Sequence, residues 1–262
     1  MNTRLILWLT ILTLVFALPA SAATREENRV ADATDVVDQF LRIPEQGVPP
    51  SLLARAYAVA VIPDVVKIGF GLGARRGKGV VVVRQDDGSW SNPAFITITG
   101  GSIGWQIGAQ STDVILVFKS RRGVDGIASG KLTLGADASV AAGPVGRQTG
   151  VATDIQFEAE VYSYSRSRGL FAGVSLEGSG VTIDKKANAA FYGSASLTPD
   201  QIFASPGNMA PAVANNFVQI LSAQTQRLPT QPGMDTGTSQ RAPNAPQEPR
   251  VRTFGIADPD EP

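Results

Sequence analysis

Cysteine and histidine are both absent from the 262 residues of this chain. Without cysteine there is no disulfide, no thiolate metal site and no cysteine nucleophile. Without histidine there is no Ser–His–Asp triad, no histidine general base and no histidine-ligated metal. Catalysis would have to use carboxylate, lysine, tyrosine or serine groups alone, so the composition disfavours an enzyme. We therefore expect no catalytic residues, no metal site and no cofactor.

An excess of charge of either sign is also missing. The chain has 23 Lys and Arg residues against 23 Asp and Glu residues, which gives a formal net charge of zero. A basic bias would have suggested a nucleic-acid partner, and an acidic bias would have suggested disorder. We expect no nucleic-acid partner, and any electrostatic binding must come from a local cluster. The hydrophobic content of 43% is enough for a substantial core.

Residues 1–22 have the pattern of a secretory signal peptide. Arg4 supplies a positive charge, residues 5–18 are apolar and uncharged, and Ala20, Ser21 and Ala22 form an A-x-A cleavage site. This apolar run is shorter than the roughly 20 residues that a transmembrane helix needs. We expect cleavage after Ala22 and a periplasmic or secreted bacterial protein. An uncleaved N-terminal anchor is the alternative.

Two helices are predicted in the first part of the mature chain. Thr24 and Glu27 have the spacing of a capping box, and apolar residues then recur at helical spacing as far as residue 41. The run 52–61 is apolar nearly all round, which is typical of a buried helix. Pro63 ends it.

Most of the 27 glycines lie in the following segment, residues 66–193, which predicts an antiparallel sheet. The continuous apolar runs 80–83 and 114–118 predict central strands. Period-two alternation over 131–140 and 155–162 predicts strands with one buried face and one solvated face. Hairpin turns are expected at residues 86–88 and 165–169. Short helices are expected over 124–129 and 185–192.

Three glycine-rich stretches fall inside these predicted strands, at residues 69–79, 100–108 and 169–178. Glycine weakens a strand unless another backbone approaches it or the sheet bends there. The stretches therefore predict a strongly curved antiparallel sheet, open or barrel-like. The first stretch fits neither the Walker loop, in which it is one residue short, nor a dinucleotide loop, which a helix would follow. We interpret it as a glycine-punctuated hairpin with Arg75, Arg76 and Lys78 at its tip.

The last part of the chain returns to helix and then becomes proline-rich. Thr198 and Pro199 have the pattern of a helix start, and residues 208–226 continue at helical spacing. Residues 229–262 are rich in proline and have few large apolar side chains, so we expect them to be disordered. The predicted organisation is a signal peptide over 1–22, a single α+β domain over 23–228 and a proline-rich tail.

Basic residues also cluster at other predicted strand ends. They are Lys119, Arg121 and Arg122; Arg166 and Arg168; and Lys185 and Lys186. Any one of these clusters is typical of a solvated turn, whereas several on one face would indicate a polyanionic partner. The carboxylates Glu158 and Glu160 are more typical of solvated charges than of an acid/base pair.

Several longer motifs resemble one known family. They include residues 60–63 (AVIP), 67–71 (KIGFG), 88–93 (GSWSNP), 104–108 (GWQIG), 142–147 (AGPVGR) and 169–178 (GLFAGVSLEG). These motifs occur in order, and on them the chain resembles the SYLF family of lipid-binding domains over about residues 28–222. The resemblance implies a non-catalytic domain that binds lipid.

The resemblance also implies candidate lipid-binding residues. Carried over by position, Lys67, Arg75, Arg76 and Lys78 would contact headgroups, with help from the helix at 25–41. Arg121 and Arg122 complete the candidate set. Eukaryotic relatives bind phosphoinositides and some bind actin, but a signal peptide would place both out of reach here.

Bacterial anionic phospholipid, bound peripherally at a membrane surface, is therefore the expected partner. The alternative is a cell-envelope structural or protein-interaction module that docks a protein through its sheet edge or its proline-rich tail.

Overall fold

The protein is described here by a computed structural model of residues 24–42, 48–143, 158–167, 170–205 and 210–226. The chain divides into two units, Met1–Leu228 and Pro229–Pro262, and every described residue lies in the first. The elements, in chain order, are α1 (Arg25–Arg42), α2 (Pro50–Ala54), β1 (Ala58–Val83), β2 (Ala94–Phe118), α3 (Arg121–Ala128), β3 (Lys131–Thr133), β4 (Val140–Ala142), β5 (Val161–Ser167), β6 (Leu170–Gly173), β7 (Gly180–Ile183), α4 (Lys185–Tyr192), α5 (Pro199–Ala204) and α6 (Ala212–Gln226). The predicted α+β class is confirmed.

Helix α1 begins at the predicted capping box. The Glu27 N–H donates to Thr24 Oγ1 at 3.1 Å, and the Thr24 N–H donates to Glu27 Oε2 at 2.6 Å. The second predicted helix, over 52–61, is wrong. Helix α2 ends at Ala54, and strand β1 begins at Ala58. Residues 58–61 are buried on both faces, so their continuous apolar character reflects a doubly covered strand instead of a helix.

Strands β1 and β2 form one long antiparallel hairpin. Their register runs from Ala58 opposite Phe118 to Val81 opposite Ala94. The predicted turn at residues 86–88 connects them, closed by bonds between Gln85 and the backbone of Gly88 and Ser89. The interpretation of residues 69–79 as a separate hairpin is wrong, because β1 is continuous through them and pairs with β2 throughout.

Strand β2 is the centre of the described sheet. It pairs with β1 along one edge and with β7 and β5 along the other, in the order β3-β7-β2-β5-β4. The central position predicted for residues 114–118 is confirmed. Residues 80–83 lie on β1, which in the described part of the chain pairs only with β2, so a central position is wrong for them.

Two further strand predictions need correction. The predicted strand 131–140 is two short strands, β3 and β4, because Gly135 turns the chain there with a φ of 88°. Strand β5 begins only at Val161 and both its faces are buried, so the solvated face predicted for residue 162 is wrong. Residues 155–157 of that prediction lie outside the described residues. The second predicted hairpin is confirmed by the pairing of Ser167 with Leu170, although its loop is not among the described residues.

The sheet is strongly curved, as the glycine pattern predicted, but it is mixed and not wholly antiparallel, because β4 pairs with β5 in parallel. β1 bends so that its two ends pack on each other, and a Cβ at Gly79 would overlap the carbonyl oxygen of Val61. At Gly77 a Cβ would lie 2.7 Å from a Val65 methyl group. Glycine therefore stands where one part of the strand approaches the backbone of another.

The core has two layers, one on each face of the sheet. On the face that we call the helix face, Val59, Val61, Val80 and Val82 pack with α1 and α6. On the opposite face, the alternate residues of the same strands pack with α3 and α5.

The short helices are close to prediction. Helix α4 has the predicted bounds, and α3 starts three residues before the predicted position. Thr198 and Gln201 cap α5 reciprocally. The long C-terminal helix begins only at Ala212, directly after Pro211. Within the described ranges, no helix combines the length and apolar character needed to cross a membrane.

Candidate functional site

The bent part of the β1–β2 hairpin stands apart from the rest of the sheet. Residues 66–75 of β1 pair with residues 100–111 of β2. β7 pairs with β2 only up to Thr99, and β5 pairs with it only from Asp113. Within the described ranges these two segments thus have no further strand partner. We call them the ribbon.

Strand alternation divides the predicted lipid-binding cations between the two faces of the sheet. Val80 packs on the helix face, so Lys78 and Arg76 point to that face as well. Val65 packs on the opposite face, which places Lys67 there too. Val81 packs on the opposite face, and Arg75 lies an even number of positions from it on the same strand, so Arg75 also points to that face. The four cations therefore do not form one cluster.

Lys78 is half-exposed and is held by an ion pair. Its Nζ donates to Asp184 Oδ2 at 2.9 Å, and Arg29 Nη1 lies 3.9 Å from the same oxygen. Asp184 also caps α4 by accepting the Ala187 N–H. Burial alone would raise the pKa of Asp184, but these hydrogen bonds and the two cations hold it below its usual range.

Arg75 is tied to the loop that follows β6. Its Nη1 donates to the Ser175 carbonyl oxygen at 3.0 Å, while its Nε is buried without a hydrogen-bond partner in the described part of the chain. Burial lowers the pKa of Arg75. Arg76 is exposed, and Lys67 is partly exposed. Arg76 therefore offers a more accessible charge than its neighbour in the sequence.

Arg121 and Arg122 lie at the start of α3, at the far end of β2 from the ribbon. Arg121 pairs with Asp125 at 3.3 Å, and Arg122 approaches Glu160 at 4.0 Å. The strand residues between Thr112 and Phe118 separate them from the ribbon by about 20 Å, at roughly 3.3 Å per residue. These two cations are not brought together with the other four.

Most of the other charged residues singled out from the sequence lie in the described part of the chain. Glu160 accepts the Ser139 N–H at 3.2 Å and lies 4.0 Å from Arg122, so it is partly buried and paired instead of solvated as predicted. Lys185 and Lys186 are exposed at the start of α4. Arg168 lies outside the described residues.

A polar cleft lies where α1 begins, between that helix and the two ends of β1. Its volume is about 510 Å³. It is lined by Arg25, Asn28, Arg29, Asp32, Pro63, Asp64 and Lys78. Arg25, Arg29 and Asp32 follow one another at spacings of four and three residues, so they share one face of α1.

Sequence reasoning missed the arginines of this cleft. Arg29 is nine-tenths buried, and its guanidinium carbon lies 5.4 Å from the centre of the Phe95 ring. Among the described residues, its Nη1 has no hydrogen-bond partner. The signal was present in the sequence, because the capping box at Thr24 places Arg25 and Arg29 in the first turns of a helix. We call Arg25, Arg29, Arg76 and Lys78 the basic end.

Carboxylates oppose the cations of the cleft. Asp64 sits at a bulge with a φ of 49°, accepts from Ser111 Oγ at 2.8 Å and donates its N–H to Asp113 at 3.2 Å. Burial, together with Asp64, Asp35 and Asp113, raises the pKa of Asp32. The cations of the basic end are therefore largely balanced by the neighbouring carboxylates.

The side chains of the cleft are suited to binding an anionic group such as phosphate. Among the described residues, no three carboxylates are grouped so that they could hold a metal ion. The groups in the cleft are guanidinium, ammonium, amide and carboxylate groups. Guanidinium and ammonium groups bind phosphate by charge-assisted hydrogen bonds.

A family model matches residues 99–224 of the chain. The family is described as "Ysc84: Las17-binding protein actin regulator". The matched segment runs from the end of β2 nearest β7 through to α6. It contains β5, β7 and α5, and it ends within α6.

Curated relatives extend the similarity towards the N-terminus. The "SH3 domain-containing YSC84-like protein 1" of Xenopus laevis is 36% identical over 215 residues, covering 80% of this chain and 63% of that protein. The Homo sapiens protein of the same name is 38% identical over 207 residues, covering 77% and 60%. "Protein YSC84" of Saccharomyces cerevisiae is 38% identical over 183 residues, covering 69% and 38%. The chain thus spans less than two thirds of the length of these relatives.

Proposed function

The chain carries a Ysc84 (SYLF) family domain, and on this premise we propose that it binds anionic membrane surfaces without catalysing a reaction. One observation carries the proposal: Arg25 and Lys78 line one cleft where α1 begins, and Arg76 lies on the same face of the sheet as Lys78. The contact involves the lipid headgroups.

The charge balance predicts weak, salt-sensitive binding. Each Lys or Arg near an anionic membrane contributes about 1 kcal/mol. Asp184 already neutralises much of the charge on Lys78 and Arg29, and Asp32 and Asp64 oppose the rest. Arg25 and Arg76 are then the main contributors. Their attraction to headgroups is screened beyond about 10 Å at 0.1 M salt.

Co-sedimentation with vesicles tests the proposal. The protein is mixed with phosphatidylglycerol-containing vesicles and with neutral phosphatidylcholine vesicles, at low and at high salt. We expect binding to the anionic vesicles that weakens as salt rises. Equal binding to both vesicle types, or none to either, would contradict the electrostatic proposal.

We also propose a periplasmic or secreted location, supported by the signal-peptide pattern of residues 1–22. In that compartment the partner is bacterial anionic phospholipid. Expression in a Gram-negative host followed by fractionation and N-terminal sequencing tests this. Periplasmic protein that begins at Ala23 is the expected result, whereas full-length protein in the cytoplasm would contradict it.

A protein partner is the second candidate function. It is supported by the family description as a Las17-binding protein and by the free outer edge of β1 in the described sheet. Such an edge can accept a strand from a partner. A cell-envelope structural or interaction module would use this edge or the tail at 229–262. Pull-down from envelope extract, with and without that tail, tests this candidate.

A further inference from the structure

Two large hydrophobic side chains break the burial pattern of the sheet. Val66 is 40% exposed and Ile68 is 61% exposed, and among the residues whose side chains the structure describes they are the only exposed large hydrophobic ones. Both lie on the ribbon, two residues apart on β1. Alternation from Val65 places them on the helix face, the face of Arg76 and Lys78.

The composition of the ribbon sets it apart from ordinary exposed strands. No charged residue occurs between Lys67 and Arg75, and none occurs in residues 100–112. Exposed strand edges are normally protected by charged residues or proline. Cations instead stand at the margins of this uncharged segment: Arg76 is on the face of Val66 and Ile68, whereas Lys67 and Arg75 are on the opposite face. An uncharged surface that exposes aliphatic side chains beside a cation is complementary to the boundary between anionic headgroups and acyl chains.

From these observations we propose that the ribbon enters the interfacial layer of an anionic bilayer, with Val66 and Ile68 among the upper acyl chains. The inference rests on the proposed function and specifies how that membrane contact is made. The basic end, on the same face, then lies at the depth of the lipid phosphates. The acidic residues Asp32 and Asp64 stay at the base of the ribbon, away from the acyl chains.

The strand pairing limits the depth of insertion. Within the described ranges, each strand of the ribbon has an outer edge without a partner strand. Unpaired backbone groups are strongly disfavoured in the hydrocarbon core, whereas water and headgroups satisfy them at the interface. The ribbon therefore lies in the interfacial layer and does not span the bilayer.

The absence of cysteine makes a direct depth measurement possible. Ile68→Cys gives a unique site for an environment-sensitive NBD label on the full chain. Ala223→Cys is the matched control, because Ala223 is exposed on α6 near the Trp90 end of the hairpin. We expect NBD at position 68 to brighten and shift to the blue with phosphatidylglycerol vesicles, and to be quenched by lipids with a spin label high on the acyl chain. NBD at position 223 should do neither.

A binding measurement separates insertion from simple headgroup contact. We expect Ile68→Asp to weaken binding to the anionic vesicles about tenfold, and Ala223→Asp to leave it unchanged. Full vesicle binding by Ile68→Asp, with no change in NBD at position 68, overturns the insertion and leaves the proposed function standing. No vesicle binding by the wild-type chain overturns both. The label could also brighten without lipid as the protein concentration rises and dimers form. That result overturns insertion, because it would show that the ribbon face binds a second copy of the chain.

Discussion

Strand β1 has two contrasting parts. Its ends, residues 58–65 and 77–83, are almost completely buried and pack against each other through Gly77 and Gly79. The ribbon between them has exposed hydrophobic side chains and, in the described chain, a single partner strand. The ends belong to the buried core, and we expect the ribbon to contribute less than the ends to the stability of the fold.

The largest difference in the free energy of unfolding is expected between a variant of a core aromatic residue and a variant of a ribbon residue. Phe95 is fully buried and stacks edge-on against Phe191 at 5.0 Å. Phe95→Ala should lower the free energy of unfolding by about 4 kcal/mol, whereas Ile68→Ala should change it by less than about 0.5 kcal/mol. Urea unfolding of both variants measures the difference. Comparable losses would mean that the ribbon is part of the core.

A second comparison is the loss of stability on substituting alanine for a glycine in a buried end of β1 or in the ribbon. At Gly79 a Cβ would overlap the Val61 carbonyl oxygen, but at Gly101, on the ribbon, it would meet no atom within 4 Å. Gly79→Ala should destabilise the protein by about 3 kcal/mol, and Gly101→Ala should be nearly neutral. Thermal unfolding followed by circular dichroism distinguishes them. A stable Gly79→Ala protein would refute the close packing of the two ends of β1.

The ion pair at the basic end should have a smaller, pH-dependent effect. Because the pKa of Asp184 is lowered in the folded state, its contribution is complete above the ordinary Asp pKa. It is lost as the pH falls through the lowered value. Asp184→Asn should cost about 2 kcal/mol at pH 7 and flatten the acid limb of the stability curve. Unfolding curves from pH 2 to pH 7 test this, with Asp86→Asn in the exposed turn as the control.

The smallest effect is expected at Asp32. Its raised pKa means that the folded state disfavours the ionised carboxylate, so its contribution to stability decreases as the pH rises above the ordinary Asp pKa. Asp32→Asn should leave stability at pH 7 unchanged or raise it by less than about 0.5 kcal/mol. It should also tighten binding to anionic vesicles severalfold, because it removes a negative charge from the cleft. Weaker vesicle binding would contradict the assignment of the cleft to anions.

Local signals predicted much of the fold. The capping box fixed the start of α1, and residues 86–88 fixed the turn of the long hairpin. Neither depends on distant parts of the chain. The helix predicted over 52–61 was wrong because burial on both faces removes the periodicity that tells a strand from a helix.

Long-range packing explains what the sequence could not predict about the candidate site. The bend of β1 is set by the contact of Gly79 with Val61, which no local pattern shows. Because β1 is one continuous strand through this segment, alternation places Arg76 and Lys78 on one face and Lys67 and Arg75 on the other, although all four lie within twelve positions of one another. Arg25 joins the first pair only because α1 packs across the helix face.

Two double variants can test whether the basic end, on the helix face, is the part of the protein that contacts anionic lipid. Arg25→Ala/Arg76→Ala removes two charges at the basic end, and Arg121→Ala/Arg122→Ala removes two charges at the start of α3. Their affinities for the same phosphatidylglycerol vesicles at 0.1 M salt are to be compared with that of the wild-type chain. We expect a loss of about tenfold or more for the first variant, at about 1 kcal/mol per cation, and less than about twofold for the second. Equal losses, or a larger loss for the second variant, would show that the basic end is not the lipid contact.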